Sequence, residues 1–314
     1  MESASSGCQT PVLFLVHRRP RLTAQVFAAI RQARPSHLLV AADGPEDDAL
    51  CRETRRLVQV GVDWPCNVQT RFSVTQLGCK KAVSQALDWA FCAHKRLIVL
   101  EDDCLPEASF FPFCDEMLAR YAKDTRVMQV CGSNLAGWQP EAHSYFFSRF
   151  GSIWGWASWR RAWQCFDLNM ATWPQTRQSG LLQKLCPQPL EGAWRMELFD
   201  AAHAGQIDTW DTQWAYARIM HSGIHIIPER HLVANIGFGP DATHNADDPL
   251  GKLPTVAMPF PLRHPNVVRV DEAADRAYLE NVAGLPKSAW SPAGVRYAVK
   301  RFARQLRNRL RSAS

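Results

Sequence analysis

Three adjacent acids, Glu101, Asp102 and Asp103, follow directly on the apolar run Leu97-Ile-Val-Leu100. Such carboxylates repel one another and resist burial unless a cation compensates them. Their hard oxygens suit Mg2+ or Mn2+, ions that keep waters and share ligands with phosphates. The plainer alternative is an acidic cap on a helix starting near Ser109, but the acids lie six or more residues upstream and Pro106 intervenes. Asp43, in Ala41-Ala42-Asp43-Gly44, ends another apolar run and reads as a turn former or as an acid facing a ligand. Arg18 and Arg19 follow the first apolar run, either solvated or placed to meet a diphosphate. Lys80 and Lys81 fall in the first turn of a helix opening at Gly78, where the dipole disfavours cations. A nearby anion would account for them, and so would a solvated face.

A second group is aromatic. Ile153-Trp-Gly-Trp-Ala-Ser-Trp-Arg-Arg-Ala-Trp163 surrounds one glycine with four tryptophans. Tryptophan faces stack on the C–H faces of sugars and also fill cores. Trp159 and Trp163, four apart, read as the buried stripe of a helix, whereas Trp154 and Trp156 flank Gly155 and are the candidates for a binding surface. In Trp210-Asp211-Thr-Gln-Trp214 a carboxylate sits among aromatics, an environment that favours a general base. Asp211 reads equally as the N-cap of the helix 212–221, and the two roles are compatible. His244, in Asp241-Ala-Thr-His-Asn245, carries little signal alone.

The elements that position these residues are legible in the first 130 positions. Apolar runs at 12–16, 37–42 and 97–100 read as buried strands, and 67–72 as a short one. Segments 22–33, 46–60, 78–94 and 110–121 carry helical spacing. Strands alternating with helices predict βαβ units, a mostly parallel sheet and an α/β fold. In open sheets of this kind ligands bind outside the carboxyl ends of the strands. Those ends are where Arg18, Asp43 and Asp103 fall. Beyond Val130 the texture changes: nine of the 12 tryptophans lie between Trp138 and Trp214, and Gly and Pro break the periodicity. That predicts a second half of the same domain built mainly of loops and short helices. Residues 235–265 hold six prolines and predict a long ordered loop.

Composition narrows the class. The chain has 314 residues, 46% of them apolar and 21% charged, as globular proteins do. No apolar run approaches the ~20 residues of a bilayer span, and the polar start Met1-Glu-Ser-Ala-Ser-Ser-Gly predicts no secretory leader. Ten scattered cysteines without a Cys-x-x-Cys pair argue against zinc and redox motifs and for a reducing, cytoplasmic setting. Of the net charge of +6, seven cations fall after position 295 with no acid among them, so the body is near neutral and nucleic acid is an unsuitable partner. In that tail Val295, Val299, Phe302, Leu306 and Leu310 recur at helical spacing, which predicts a basic amphipathic helix suited to an anionic membrane surface or, alternatively, packed on its own domain or a partner. The expected organisation is a catalytic domain over 1–285, with a nucleotide-binding half (10–130) and an acceptor half (131–250), then the tail at 286–314.

Taken together, the motifs resemble those of GT-A nucleotide-sugar glycosyltransferases. The strand followed by Glu101-Asp102-Asp103 is similar to that superfamily's Asp-x-Asp-type motif, in a form resembling N-acetylglucosaminyltransferase I. A closer resemblance is to bacterial hemolysin-related, surface-polysaccharide glycosyltransferase-like proteins. It rests on Leu77-Gly78-Cys79, Glu101-Asp-Asp-Cys-Leu-Pro106, Phe110-Phe111, Cys131-Gly-Ser-Asn134, Trp154-Gly-Trp-Ala-Ser-Trp159, Trp210-Asp211, Asn235-Ile-Gly-Phe-Gly239 and Ala242-Thr-His244. These span residues 11–246; Gln76 departs from the Asn common there. The resemblance implies a GT-A, Rossmann-like mixed sheet flanked by helices, and a Mn2+- or Mg2+-dependent hexosyl- or N-acetylhexosaminyltransferase. It implies Asp43 at the base, Asp102 near the ribose or diphosphate with Glu101, Arg18 and Lys80 beside it, and Asp103 as metal ligand with His244. Asp211 would be the base of an inverting reaction, and Trp154 and Trp156 would lie near the acceptor. The donor expected is a nucleoside-diphosphate sugar, UDP favoured. The acceptor expected is a glycan or a lipid-linked glycan used in surface-polysaccharide synthesis at the inner face of the membrane. Two rivals are a sugar-1-phosphate nucleotidyltransferase, for which His17-Arg18-Arg19-Pro20 lacks a glycine-rich triphosphate loop, and an inactive carbohydrate-binding module.

Overall fold

A computed structural model describes residues 7–238 and 249–287. In chain order the elements are β1 (Val12–Val16), α1 (Pro20–Ala33), β2 (His37–Ala42), α2 (Ala49–Val60), β3 (Asn67–Phe72), α3 (Cys79–Ala93), β4 (Arg96–Glu101), β5 (Cys104–Pro106), α4 (Phe110–Arg120), β6 (Val127–Cys131), β7 (Tyr145–Ser148), β8 (Trp156–Trp159), α5 (Arg160–Trp163), α6 (Trp173–Ser179), α7 (Leu181–Leu185), α8 (Pro189–His203), α9 (Asp211–Met220), β9 (Ile224–Pro228), β10 (Val233–Asn235) and α10 (Glu272–Asn281). The helix starts follow local chemistry. Pro20 opens α1 with its φ already helical, and the Asp48 carboxylate accepts the Cys51 N–H to cap α2.

Eight strands form one mixed sheet in the order β3-β2-β1-β4-β8-β6-β9-β7. The first four run parallel, as the strand–helix alternation predicts. β1 and β4 are apolar along their buried length because helices cover both faces of the sheet there. One face packs Phe14, Val26, Phe27 and Ile30 with Phe110 and Phe113 of α4. The other packs Leu13, Leu15, Val83, Leu87 and Phe91 with Trp156, Trp163, Trp210 and Trp214. Each such fully buried large side chain contributes roughly 1.5–3 kcal/mol.

The second half departs from the expectation of loops and short helices. It adds β6, β7, β8 and β9 to the same sheet, with β8 antiparallel between β4 and β6, and the 15-residue helix α8. Trp159 is correspondingly the last residue of β8 rather than part of a helix stripe; it is buried, as is Trp163. Within 235–265 the described residues form β10's end, a 3-10 turn at Pro249–Lys252 and otherwise irregular chain. Among the described residues no helix is long and apolar enough to cross a membrane. The amphipathic tail and His244 lie outside the described residues.

Two features of the topology place a site. Chain order reverses at β1, whose neighbours are β2 and β4, and the carboxyl ends of strands at such a switch point are where open α/β sheets bind ligands. The small β5–β10 ribbon then folds over that edge directly after β4.

Candidate active site

The acidic turn is built at this edge. β4 delivers Glu101, and Asp102 and Asp103 occupy the turn into β5. β5 pairs with β10, and the Ile236 N–H donates to the Asp103 carbonyl at 2.8 Å, so the turn is pinned from both sides. Asp102 is buried and accepts the His17 N–H at 3.0 Å. Arg19 reaches across from the start of α1: its Nη1 donates to Asp103 Oδ2 at 2.8 Å and lies 3.5 Å from Asp102 Oδ1. Glu101 Oε1 is shut off from solvent with no hydrogen-bond partner among the described residues. Burial, then Asp103 and Asp102, push the Glu101 carboxyl up to about 8. Burial and Asp103, opposed by Arg19, push Asp102 up to about 6.

A second construction explains the cations of α3. Four consecutive backbone N–H groups at its start are taken by two carboxylates. Leu77 and Gly78 donate to Asp43 Oδ1 and Oδ2 at 2.9 and 3.1 Å. Cys79 and Lys80 donate to Asp208 Oδ2 and Oδ1 at 3.0 and 3.2 Å. Gly78 turns with φ +82°, and a Cβ there would meet Asp208 Oδ2 at 2.8 Å, so only glycine fits. Asp208, supplied by the loop before α9, thus puts a carboxylate on the backbone N–H groups of the helix end that carries these lysines, without pairing with either ammonium group. Asp43 faces the Leu77–Gly78 backbone rather than open solvent.

Asp211 opens α9 as its first helical residue, one position inside the cap. Its Oδ1 accepts the Thr209 hydroxyl and, at 2.8 Å, the Thr212 N–H. It lies within electrostatic reach of the acidic turn, since its charge is one of those that raise the Glu101 carboxyl. The Cys79 thiol is pushed up to about 12 by partial burial and then by the charges of Glu101, Asp208, Asp211 and Asp103 in that order. α9 is anchored beneath by a buried network that no local sequence pattern announces. Gln129 Oε1 accepts both Trp214 Nε1–H and Arg218 Nη1–H at 2.8 Å, and Arg218 also meets His225 Nε2 at 2.6 Å. Burial lowers the Arg218 guanidinium to about 10.

The aromatic and basic candidates separate. Trp156 has no exposed surface: it stacks on Trp210 with ring centroids 5.5 Å apart and touches Trp214. Its expected place at an acceptor surface is therefore corrected, since a ring sealed in the core offers no face to a sugar. Trp154 is half-buried, edge-to-face with Phe238 at 5.6 Å. It is aimed away from Trp156 by Gly155, whose φ of +58° and closeness to Val233 exclude a side chain. Arg18 pairs with Asp48 at 2.9 Å and remains half-exposed. The fold thus brings Glu101, Asp102, Asp103 and Asp211 within electrostatic reach of one another, with Asp43 and Lys80 at the start of α3 nearby. Asp208 and Arg19's grip on the acids are what sequence reasoning missed; the misplaced charge of Lys80 is the one local signal of the former.

The donor set fits a hard divalent cation. Asp102 and Asp103 supply hard carboxylate oxygens on adjacent residues, and Glu101 Oε1 beside them has no hydrogen-bond partner among the described residues. Among the described residues no three acids, cysteines or histidines stand close enough to share one ion. An ion held by Asp103 and its neighbour would complete its shell with waters and phosphate oxygens.

No protein-family model matches this chain, nor does any curated protein. Among solved structures it is similar to the galactosyltransferase LgtC in complex with donor and acceptor sugar analogs, at 10% identity and a TM-score of 0.34 over 54% of this chain and 64% of that one. The chain thus spans just under two thirds of the length of that protein. An active-site mutant of LgtC aligns at 12% identity and a TM-score of 0.35, over 78% of this chain and 95% of that one. Mouse xyloside xylosyltransferase 1, in its apo form, aligns at 12% identity and 0.31, over 68% and 82%. Likenesses this distant leave function to the site itself.

Proposed function

We propose that the protein is a GT-A-type, metal-dependent glycosyltransferase. It would move a hexose or N-acetylhexosamine from a nucleoside-diphosphate sugar, UDP favoured, to a glycan or lipid-linked acceptor with inversion, in surface-polysaccharide synthesis. The observation that carries the reading is the buried acidic turn at the carboxyl end of β4, set beside the sheet's switch point with Asp211 within electrostatic reach. Burying acids without full compensation is costly, which a module that only binds carbohydrate has no reason to sustain.

In this reading Asp103, with Asp102 beside it, holds Mn2+ or Mg2+, which when bound supplies a Lewis acid for the departing diphosphate. Asp43 holds the Leu77–Gly78 loop as the wall against the base, and Lys80 and Arg18 supply positive charge at its rim. Trp154 presents the aromatic face nearest the acceptor. Asp211, its Oδ1 fixed by Thr209 and Thr212, accepts the proton of the acceptor hydroxyl as that oxygen attacks the anomeric carbon. His244, a metal contact by resemblance, joins the site only as a proposal.

Release of UDP from UDP-sugars with and without Mn2+, in the parent and in Asp103→Asn, tests this. The variant keeps the side chain's shape and removes the charge, so Mn2+-dependent nucleotide binding and hydrolysis should fall by roughly tenfold or more. Equal affinity for UDP and Mn2+ in the two proteins refutes the metal assignment. Pyrophosphate release from a nucleoside triphosphate and a sugar phosphate would instead establish the nucleotidyltransferase.

A further inference from the structure

Arg19 stands where an arginine is least expected. It occupies the N-cap position of α1, a place suited to Ser, Thr, Asp or Asn, and its cation lies at the positive end of the helix. It makes no capping hydrogen bond there, and its side chain crosses to the acidic turn instead. At Asp103 the surroundings are crowded. Oδ1 lies 3.5 Å from the Cys104 thiol. Oδ2 has Arg19 Nη1 at 2.8 Å, and the chain at Gly237 passes so close that a Cβ there would lie 2.5 Å away. With chain on one side and guanidinium on the other, a cation that binds Oδ2 from the side of α1 takes the position Arg19 holds.

We propose that Arg19 is a resident counter-ion of the acidic pair, displaced by the divalent cation and then taken up by the diphosphate of the donor. This rests on the metal-dependent reading above and adds an order to it. The guanidinium neutralises Asp102 and Asp103 while the site is empty of donor. A divalent ion arriving alone must push that charge aside and remain next to it, so it binds weakly. A nucleoside diphosphate brings the anion that both cations need, so metal and nucleotide bind far better together than apart. Arg19 keeps part of its side chain open to solvent, at 29% exposure, which leaves it room to swing from carboxylate to phosphate.

Mn2+ binding to the full chain, followed by electron paramagnetic resonance with and without UDP, tests this on the parent, Arg19→Gln and Arg19→Lys. Removal of the charge should tighten binding of Mn2+ alone by at least ~5-fold, the lower end of couplings between linked sites, and should weaken binding of UDP in the presence of Mn2+ by a similar factor. The opposite signs separate this from simple loss of a structural brace, which would weaken both. Arg19→Lys, which keeps the charge on a shorter stem, should move both quantities the same way by less, and it serves alone if the glutamine variant does not fold. Mn2+ binding unchanged or weakened in the variants overturns the proposal and leaves the metal reading standing. UDP binding as tight in EDTA as in Mn2+, and lost in Arg19→Gln, overturns both, since the guanidinium would then carry the diphosphate without a metal.

Discussion

The clamp on the start of α3 makes a sharp claim about Asp43. Replacing it with Asn exchanges one of two accepting oxygens for an NH2 donor. Both oxygens are in use, by Leu77 N–H at 2.9 Å and Gly78 N–H at 3.1 Å. Whichever way the amide turns, one backbone N–H then faces a donor. A hydrogen bond to a charged group is worth about 1.5–3 kcal/mol net; Asp43 is half-buried, so water recovers part of this, and a loss of ~1–2 kcal/mol is expected. For large single domains each kcal/mol moves the melting temperature by ~2–4 °C, so Asp43→Asn should melt a few degrees early, with a lower urea midpoint and an unchanged slope. Because Asp208 holds the next two N–H groups of the same segment, the double variant Asp43→Asn/Asp208→Asn should lose less than the sum of the single losses. UDP affinity should fall in parallel, as the loop it leans on loosens. Parent-like melting with UDP binding abolished would refute the clamp and place the carboxylate on the nucleotide itself.

Three other outcomes are expected. Trp156→Ala should cost ~3–5 kcal/mol in denaturant unfolding, as loss of a sealed core aromatic does; a stable variant with a selective defect toward acceptor would restore Trp156 to the binding surface. Asp211→Asn should leave UDP binding intact and cut turnover by ~10²–10⁴, the worth of a positioned base; turnover within a few fold of the parent would reduce Asp211 to an element of helix structure. Deleting residues 293–314 should abolish co-sedimentation with anionic vesicles at low salt, since each cation near such a surface contributes about 1 kcal/mol; an intact chain that ignores those vesicles excludes the membrane role.

What was legible in the sequence follows from where the information lies. β1, β2 and β4 announce themselves because a strand covered on both faces must be apolar throughout, and the crevice beyond their ends follows from βαβ geometry alone. β8 does not: Trp156-Ala-Ser-Trp159 is too short and too aromatic to separate from a helix or a binding loop, and its place between β4 and β6 is set by pairings with residues far away in sequence. That insertion is also what seals Trp156 into the core. Charge misfit is a different kind of signal. Lys80 at the positive end of α3 requires an anion, and from sequence a bound phosphate and a distant carboxylate meet that need equally well. The fold puts the Asp208 carboxylate, 128 residues away, on the Lys80 backbone N–H, which offsets the positive helix end though it does not pair with the ammonium. Glu101-Asp102-Asp103 is a misfit of the same kind, and Arg19 answers only part of it: one guanidinium serves Asp102 and Asp103, while burial raises the Glu101 carboxyl and its Oε1 has no hydrogen-bond partner among the described residues. A misfit that the chain repairs itself points to architecture. One that survives folding points to a ligand, and by that measure the acidic turn, rather than the lysines of α3, is where this protein waits for something from outside.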